Sequence, residues 1–170
     1  MKRFVIGDMH FFDENIIKFT RNRFATEEVM RHSLITNWNI VVTKDDVVYL
    51  LGDVFDLNNC DESQIKETLS LLNGKIILIA GNHDEGAFEV FRKCGVEVIE
   101  YPIVVDDFFI LSHKPMFVDE SCPYANIFAH VHNNPMYQTV SCRSYCVSAE
   151  RLDYTPRQLD RIEKDIREYK

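Results

Sequence analysis

The first half of the chain alternates short apolar runs with amphipathic stretches. Arg3–Ile6 reads as a buried strand followed by a long loop. Thr26 opens a helix that places Met30, Leu34, Trp38 and Val41 on one face. Val47–Leu51 is the next strand. Asp61, with Gln64 three residues on, caps a helix that turns Ile65, Leu69 and Leu72 inward. Lys75–Ala80 is a third strand, and a short helix spans Phe88–Cys94. Strands alternating with helices predict a parallel sheet.

After Gly95 the strands follow one another closely. Pro102–Val105 and Phe108–Leu111 flank Asp106 and Asp107, the pattern of a tight hairpin. Asn126–Ala129, Met136–Val140 and Tyr145–Ser148 continue in the same manner. Thr155 caps a last helix, with Pro156 its first residue and Gln158 completing a capping box. Leu159, Ile162, Ile166 and Tyr169 form its apolar stripe, with Asp160–Lys164 and Glu163–Arg167 as ion pairs on the wet side. A βαβα half joined to a mostly antiparallel half predicts an α/β fold of two packed sheets with helices outside. At 170 residues this is one domain, 1–170.

Composition narrows the function. With 46% hydrophobic residues the chain is not disordered, and its apolar runs are too short to span a bilayer. Lys2 and Arg3 precede only three apolar residues before Gly7, too few for a secretory signal. Five cysteines without a C-x-x-C pair suit a reducing compartment, so a cytoplasmic location is expected. A net charge of −8 argues against stable nucleic-acid binding. It leaves a phosphate substrate open, because bound cations reverse the field locally.

Polar residues collect where the apolar runs end. Asp8 and His10, Asp53, Asn82 with His83 and Asp84, His113, and His130 with His132 each follow such a run. In α/β folds a ligand site lies beyond the carboxyl ends of the strands. Each triplet alone is common in proteins; five coincidences together are not. Asp, Asn and His without thiolate suit Mn, Fe, Zn or Ni. Seven ligand candidates (Asp8, His10, Asp53, Asn82, His113, His130, His132) exceed four for one ion and fall one short of eight for two. A bridging carboxylate supplies the difference, because a neutral imidazole has one lone pair to give. Two ions about 3.5–4 Å apart suit hydrolysis. Residue types alone leave phosphoesterase, dinuclear amide hydrolase and oxygen-activating sites all open.

The ordered set D-x-H, G-D, G-N-H-D, H and H-x-H, from Asp8 to His132, resembles the calcineurin-like metallophosphoesterases. Asn15-Ile16-Ile17, Arg21–Phe24, Trp38-Asn39, Val147–Glu150 and Tyr154–Pro156 are similar to a small, cap-less bacterial and phage branch of that family. The resemblance implies a four-layer α/β/β/α sandwich, two mixed sheets flanked by helices. It implies two divalent ions, one held by Asp8, His10, Asp53 and His132, the other by Asp53, Asn82, His113 and His130. It further implies hydrolysis of a phosphomonoester or phosphodiester by direct attack of a metal-bound hydroxide. His83 matches the histidine that contacts phosphate and protonates the leaving oxygen, with Asp84 orienting it. The substrate would be a phosphorylated small molecule, a nucleotide or a diester, and an open site favours diesters. Arg23 is the strongest further phosphate contact, with Arg21 and Lys114 behind it. Where the branch has Gly-His, this chain has Phe12-Asp13; where the family has Gly, it has Ala129. The alternative is a non-catalytic interaction scaffold on the same fold, a form that lacks the catalytic histidine retained here as His83.

Overall fold

Phe4 and Ile6 point to one side of the first strand and Val5 to the other, and all three are buried. A strand covered on both faces belongs in the middle of a layered structure. The computed structural model describes residues 1–169; Lys170, the end of the expected domain, lies outside them. Its elements are β1 (Arg3–Ile6), α1 (Glu14–Phe19), α2 (Glu27–Val41), β2 (Val47–Leu50), α3 (Glu62–Ser70), β3 (Lys75–Ile79), α4 (Phe88–Lys93) and β4 (Glu97–Ile99). They continue as β5 (Ile103–Val105), β6 (Phe109–Ser112), β7 (Ala125–Phe128), β8 (Val140–Ser141), β9 (Ser144–Cys146), a 3₁₀ turn (Ala149–Leu152), β10 (Arg157–Gln158) and α5 (Leu159–Glu168).

Two five-stranded sheets result, ordered β10-β1-β2-β3-β4 and β5-β6-β7-β9-β8. The expected mixed α/β arrangement of two sheets with helices is the one observed. Phe4, Ile6, Val48, Leu50, Ile76 and Leu78 meet Met30, Leu34 and Trp38 of α2 and Ile65 and Leu69 of α3 in one core. Val5, Leu51 and Ile79 join Phe109, Leu111, Ile127 and Tyr145 in a second core, closed by Leu159, Ile162 and Ile166 of α5. Each such side chain, fully buried, is worth about 1.5–3 kcal/mol. Trp38 is wholly buried and satisfies its indole N–H on the Asn73 carbonyl at 2.9 Å.

Local signals mark their elements. Thr26 accepts from the Val29 amide, and Asp61 and Gln64 make both halves of a capping box. Asp106 and Asp107 both take positive φ, 56° and 50°, and the Phe108 amide donates to the Val105 carbonyl at 3.2 Å, turning the chain from β5 into β6. Elsewhere the expectations need correction. The second half is not mostly antiparallel: within the second sheet β6–β7 and β7–β9 run parallel, and β5–β6 and β8–β9 antiparallel. The loop after β1 contains α1, capped by Asp13, with Ile16 its one buried residue and hence no periodicity to read. Only Val140 of the expected strand Met136–Val140 is in a strand; Met136 is exposed. The last helix begins at Leu159 rather than Pro156, because Arg157 and Gln158 pair antiparallel with Val5 and Phe4. Glu163–Arg167 forms at 2.8 Å, whereas Asp160 faces Arg3 at 4.0 Å. All five cysteines are free, and among the described residues no helix is long and apolar enough to cross a membrane.

Asp46 ties the start of β1 to the entry of β2. Its carboxylate accepts from the Lys2 amide at 2.6 Å and from the Thr43 amide and hydroxyl at 2.9 and 2.7 Å. The Lys2 and Thr43 donors hold its pKa down at about 2. A depressed folded-state pKa stabilises above the unfolded value, about 3.9, and that stability is lost as pH falls through the folded value. Asp46→Asn is therefore expected to be less stable than wild type at pH 6. Chemical denaturation should show the difference closing between about pH 4 and pH 2.

Candidate metal centre

The strands β1, β2 and β3 run parallel, as do β6 and β7, so the residues that follow them leave at matching ends. Asp8 and His10 follow β1, Asp53 follows β2, and Asn82, His83 and Asp84 follow β3. His113 directly follows β6, and His130 and His132 follow β7. Five of the seven ligand candidates sit in the left-handed region: Asp8 (φ 57°), His10 (49°), Asp53 (53°), His130 (72°) and His132 (50°). Such backbone costs about 1–3 kcal/mol per residue and gathers where function needs side chains turned sharply. Gly81 is required by close approach, since a Cβ there would lie 2.3 Å from an Asp53 carboxylate oxygen.

Two groups form. Asp8, His10 and His132 bring ligand atoms within 4.8 Å of one another, and so do Asp53, His113 and His130. Asn82 joins the second, its Oδ1 3.1 Å from His113 Nε2. The imidazoles are set from behind. His113 Nδ1 lies 2.9 Å from the Leu51 carbonyl, which fixes the proton there and turns the Nε2 lone pair inward. His132 Nδ1 meets Glu150 at 3.0 Å, and His10 Nδ1 meets Asp13 at 3.2 Å. Carboxylates behind imidazoles are the usual backing of metal-ligating histidines.

The donor atoms on the inner side lack protons enough to satisfy one another. His113 Nε2 faces Asn82 Oδ1 at 3.1 Å, His130 Nδ1 at 3.0 Å and Asp53 Oδ2 at 3.3 Å. His10 Nε2 is buried with no hydrogen-bond partner. A cation among these lone pairs satisfies all of them, so the residues fit divalent metal. Asp53 Oδ2 lies between the groups, also 3.9 Å from His10 Nε2. Burial pushes the Asp53 carboxyl up, but His113 and the His83 amide outweigh it and hold the pKa at about 2. Asp8 is pushed up by burial, against the pull of His132 and Ser148.

Asp84 does not orient His83. Its carboxylate accepts from the amides of Asp53 (2.9 Å), Val54 (2.9 Å) and Gly81 (2.7 Å), and so locks the loops after β2 and β3 together. His83 stands at the mouth, more than half exposed, with Nε2 4.0 Å from Asp53 Oδ2. Arg21 is not a phosphate contact, because it is fully buried. Its guanidinium donates to the carbonyls of Asp8 and Met9 and to Glu150, the last at 2.7 Å. Arg23 pairs with Asp153 at 2.5 Å over the Tyr154 ring, and among the described residues it makes no hydrogen bond or ion pair with either group. Lys114 is exposed beside His113.

Three roles were not read from the residues. Glu150 joins Arg21 to His132; the sign available was an acid three residues beyond the apolar run Tyr145–Val147. Asp13 both caps α1 and backs His10. Ser148, buried, helps hold the Asp8 carboxylate.

The family profile described as calcineurin-like phosphoesterase matches residues 1–165. The chain belongs to that family, whose members are phosphoesterases acting on phosphoester substrates. An uncharacterized protein of Methanocaldococcus jannaschii, MJ1445, is 38% identical over 174 residues, covering 97% of this chain and 91% of its own. The crystal structure of AQ665, a protein of unknown function from Aquifex aeolicus, superposes with a TM-score of 0.71 at 26% identity, over 96% of this chain and 98% of that one. The Pseudomonas putida nuclease MPE shares the fold at a TM-score of 0.56 and 19% identity, over 76% of this chain and 61% of its own.

The Arg21–Glu150 pair carries the site's rear wall. Burial pushes the Glu150 carboxyl up, but His132 and Arg21 outweigh it and hold the pKa at about 2. Removing one partner of a buried pair strands the other charge, at about 3–5 kcal/mol. Arg21→Met is expected to lose stability of that size in the metal-free protein, by urea denaturation. Adding Glu150→Gln should recover part of it; a loss below about 1 kcal/mol for the single variant would show Glu150 to be hydrated.

Proposed function

We propose that the chain hydrolyses a phosphodiester, or less readily a phosphomonoester, at a two-metal centre. One observation carries this: Asp53 Oδ2 lies 3.3 Å from His113 Nε2 and 3.9 Å from His10 Nε2, within reach of both ligand groups. Asp8, His10, Asp53 and His132 would hold one ion, and Asp53, Asn82, His113 and His130 the other. The nitrogen and oxygen donors suit Mn, Ni, Fe or Zn. When bound, the ions would supply the charge that receives an anionic ester and the acidity that activates water.

The chain's own residues supply the rest. Asn82 and His83 are exposed beside the buried ligands, where a phosphoryl group would enter. Asp53 Oδ1 accepts the His83 amide at 2.9 Å, fixing the backbone that carries the imidazole. From there His83 can give a proton to the departing oxygen. Arg23 is occupied by Asp153, so phosphate contacts are assigned first to Asn82 and His83. Five free cysteines fit a cytoplasmic setting.

Exhaustive chelation is expected to abolish hydrolysis of a phosphodiester panel, with Mn or Ni restoring it better than Ca. Full activity in a verified metal-free preparation would overturn the proposal. Asp53→Asn should lower occupancy of both ions, and Asn82→Ala mainly of one, as read by metal analysis of the purified variants. If Asp53→Asn loses one ion and keeps the other at wild-type affinity, the bridge is elsewhere. His83→Asn should slow esters with alkoxide leaving groups by more than nitrophenyl esters, which depart unaided. Equal losses on both would make His83 a positioning contact only.

A further inference from the structure

At the seam between the sheets a cleft of about 470 Å³ opens directly from the second ligand group, with Asn82 and His113 in its inner wall. That is within the range of small-molecule sites, about 300–1,000 Å³. The rest of its wall is unlike the centre it adjoins: Tyr101, Pro102, Pro115 and Met116 line it. Tyr101 is 69% exposed and Met116 42% exposed. Exposed large apolar groups gathered beside a polar site are the mark of a place meant to be covered.

The wall is also held rigidly. Asn126 of β7 is fully buried, and its amide nitrogen donates to the Ile110 carbonyl at 2.9 Å and the Ser112 hydroxyl at 2.8 Å. Its oxygen accepts from the Met116 amide at 2.7 Å, while Ser112 donates onward to the Lys114 carbonyl at 2.7 Å. A buried polar network thereby fixes the segment that carries Lys114, Pro115 and Met116 past His113, before any ligand arrives.

We propose that this cleft receives the nucleoside of a nucleotide substrate whose phosphoryl group sits at the metal centre, an inference that rests on the phosphoesterase function proposed above. A planar base stacks on an exposed tyrosine, and the methionine sulfur favours an aromatic neighbour. An alkyl chain would use the apolar wall but not its polar groups. Lys114, exposed and without an ion-pair partner among the described residues, offers a cation to a base edge or a further phosphate. Glu100 at the other side is drawn off by Arg92 at 3.1 Å, which reduces its repulsion of an anion. A phosphorylated tyrosine, with its ring bonded directly to the ester oxygen, would fill only the inner end.

The test is the affinity of the Mn-loaded protein for AMP against ribose 5-phosphate, which differ by adenine alone, measured calorimetrically. AMP is expected to bind at least about tenfold more tightly. Tyr101→Ala should remove most of that preference and Tyr101→Phe should keep it; Tyr101 is exposed, so both variants should fold. Equal affinity for the two ligands would overturn the inference, as would phenyl phosphate binding as tightly as AMP. The readout needs no turnover. An adenine preference in a protein that hydrolyses no ester would support the cleft and sink the hydrolase, whereas hydrolysis without adenine preference would do the reverse.

Discussion

Lone pairs converging in a buried space repel one another, and the rest of this structure is arranged to hold them there. Asp53, His113, His130 and Asn82 all face a common point, and Asp8, His10 and His132 face another. Parallel pairing makes the convergence possible. If β6 and β7 ran antiparallel, His113 and His130 would leave from opposite edges of the sheet. The long crossovers that parallel strands require are the cost of having both histidines on one side. The left-handed backbone at five of these residues is a second cost, borne by the two cores beneath them.

Around the converging groups lies a shell that settles which nitrogen of each ring faces inward. Asp13, Glu150 and the Leu51 carbonyl each take one side of an imidazole. Asp84 works on backbone instead, joining two loops through three amides. The methyl of Ala129 fits because Gly7 opposite it has no side chain; a Cβ on Gly7 would approach it to 2.4 Å.

The seven ligand candidates were legible because each follows an apolar run within four residues, a local pattern. Thr26, Asp61 and the Asp106-Asp107 turn were legible for the same reason: their partners are three residues away or nearer. What escaped depends on distant partners. Nothing near Arg21 announces that it will be buried against Glu150, and a basic residue is normally left in water. The pairing of Arg157 and Gln158 with β1 overrode a sound local capping signal at Thr155. The strand directions of the second sheet were hidden because loop length alone does not separate a wide turn from a crossover.

Arg21 has an implication for the order in which the molecule is made. Its guanidinium holds the carbonyls of Asp8 and Met9 through a carboxylate 129 positions further along the chain. β1 likewise gains its outer neighbour only from residues 157 and 158. During synthesis Asp8 and His10 emerge together with Asp13 and Arg21, yet the Glu150 carboxylate that holds Arg21 in place arrives much later. Contacts of such separation form late, after the chain between them has been ordered. A nascent chain with Asp8 and His10 exposed therefore has the chemistry to touch metal but not the geometry to keep it, and the centre matures only after Glu150 has left the ribosome.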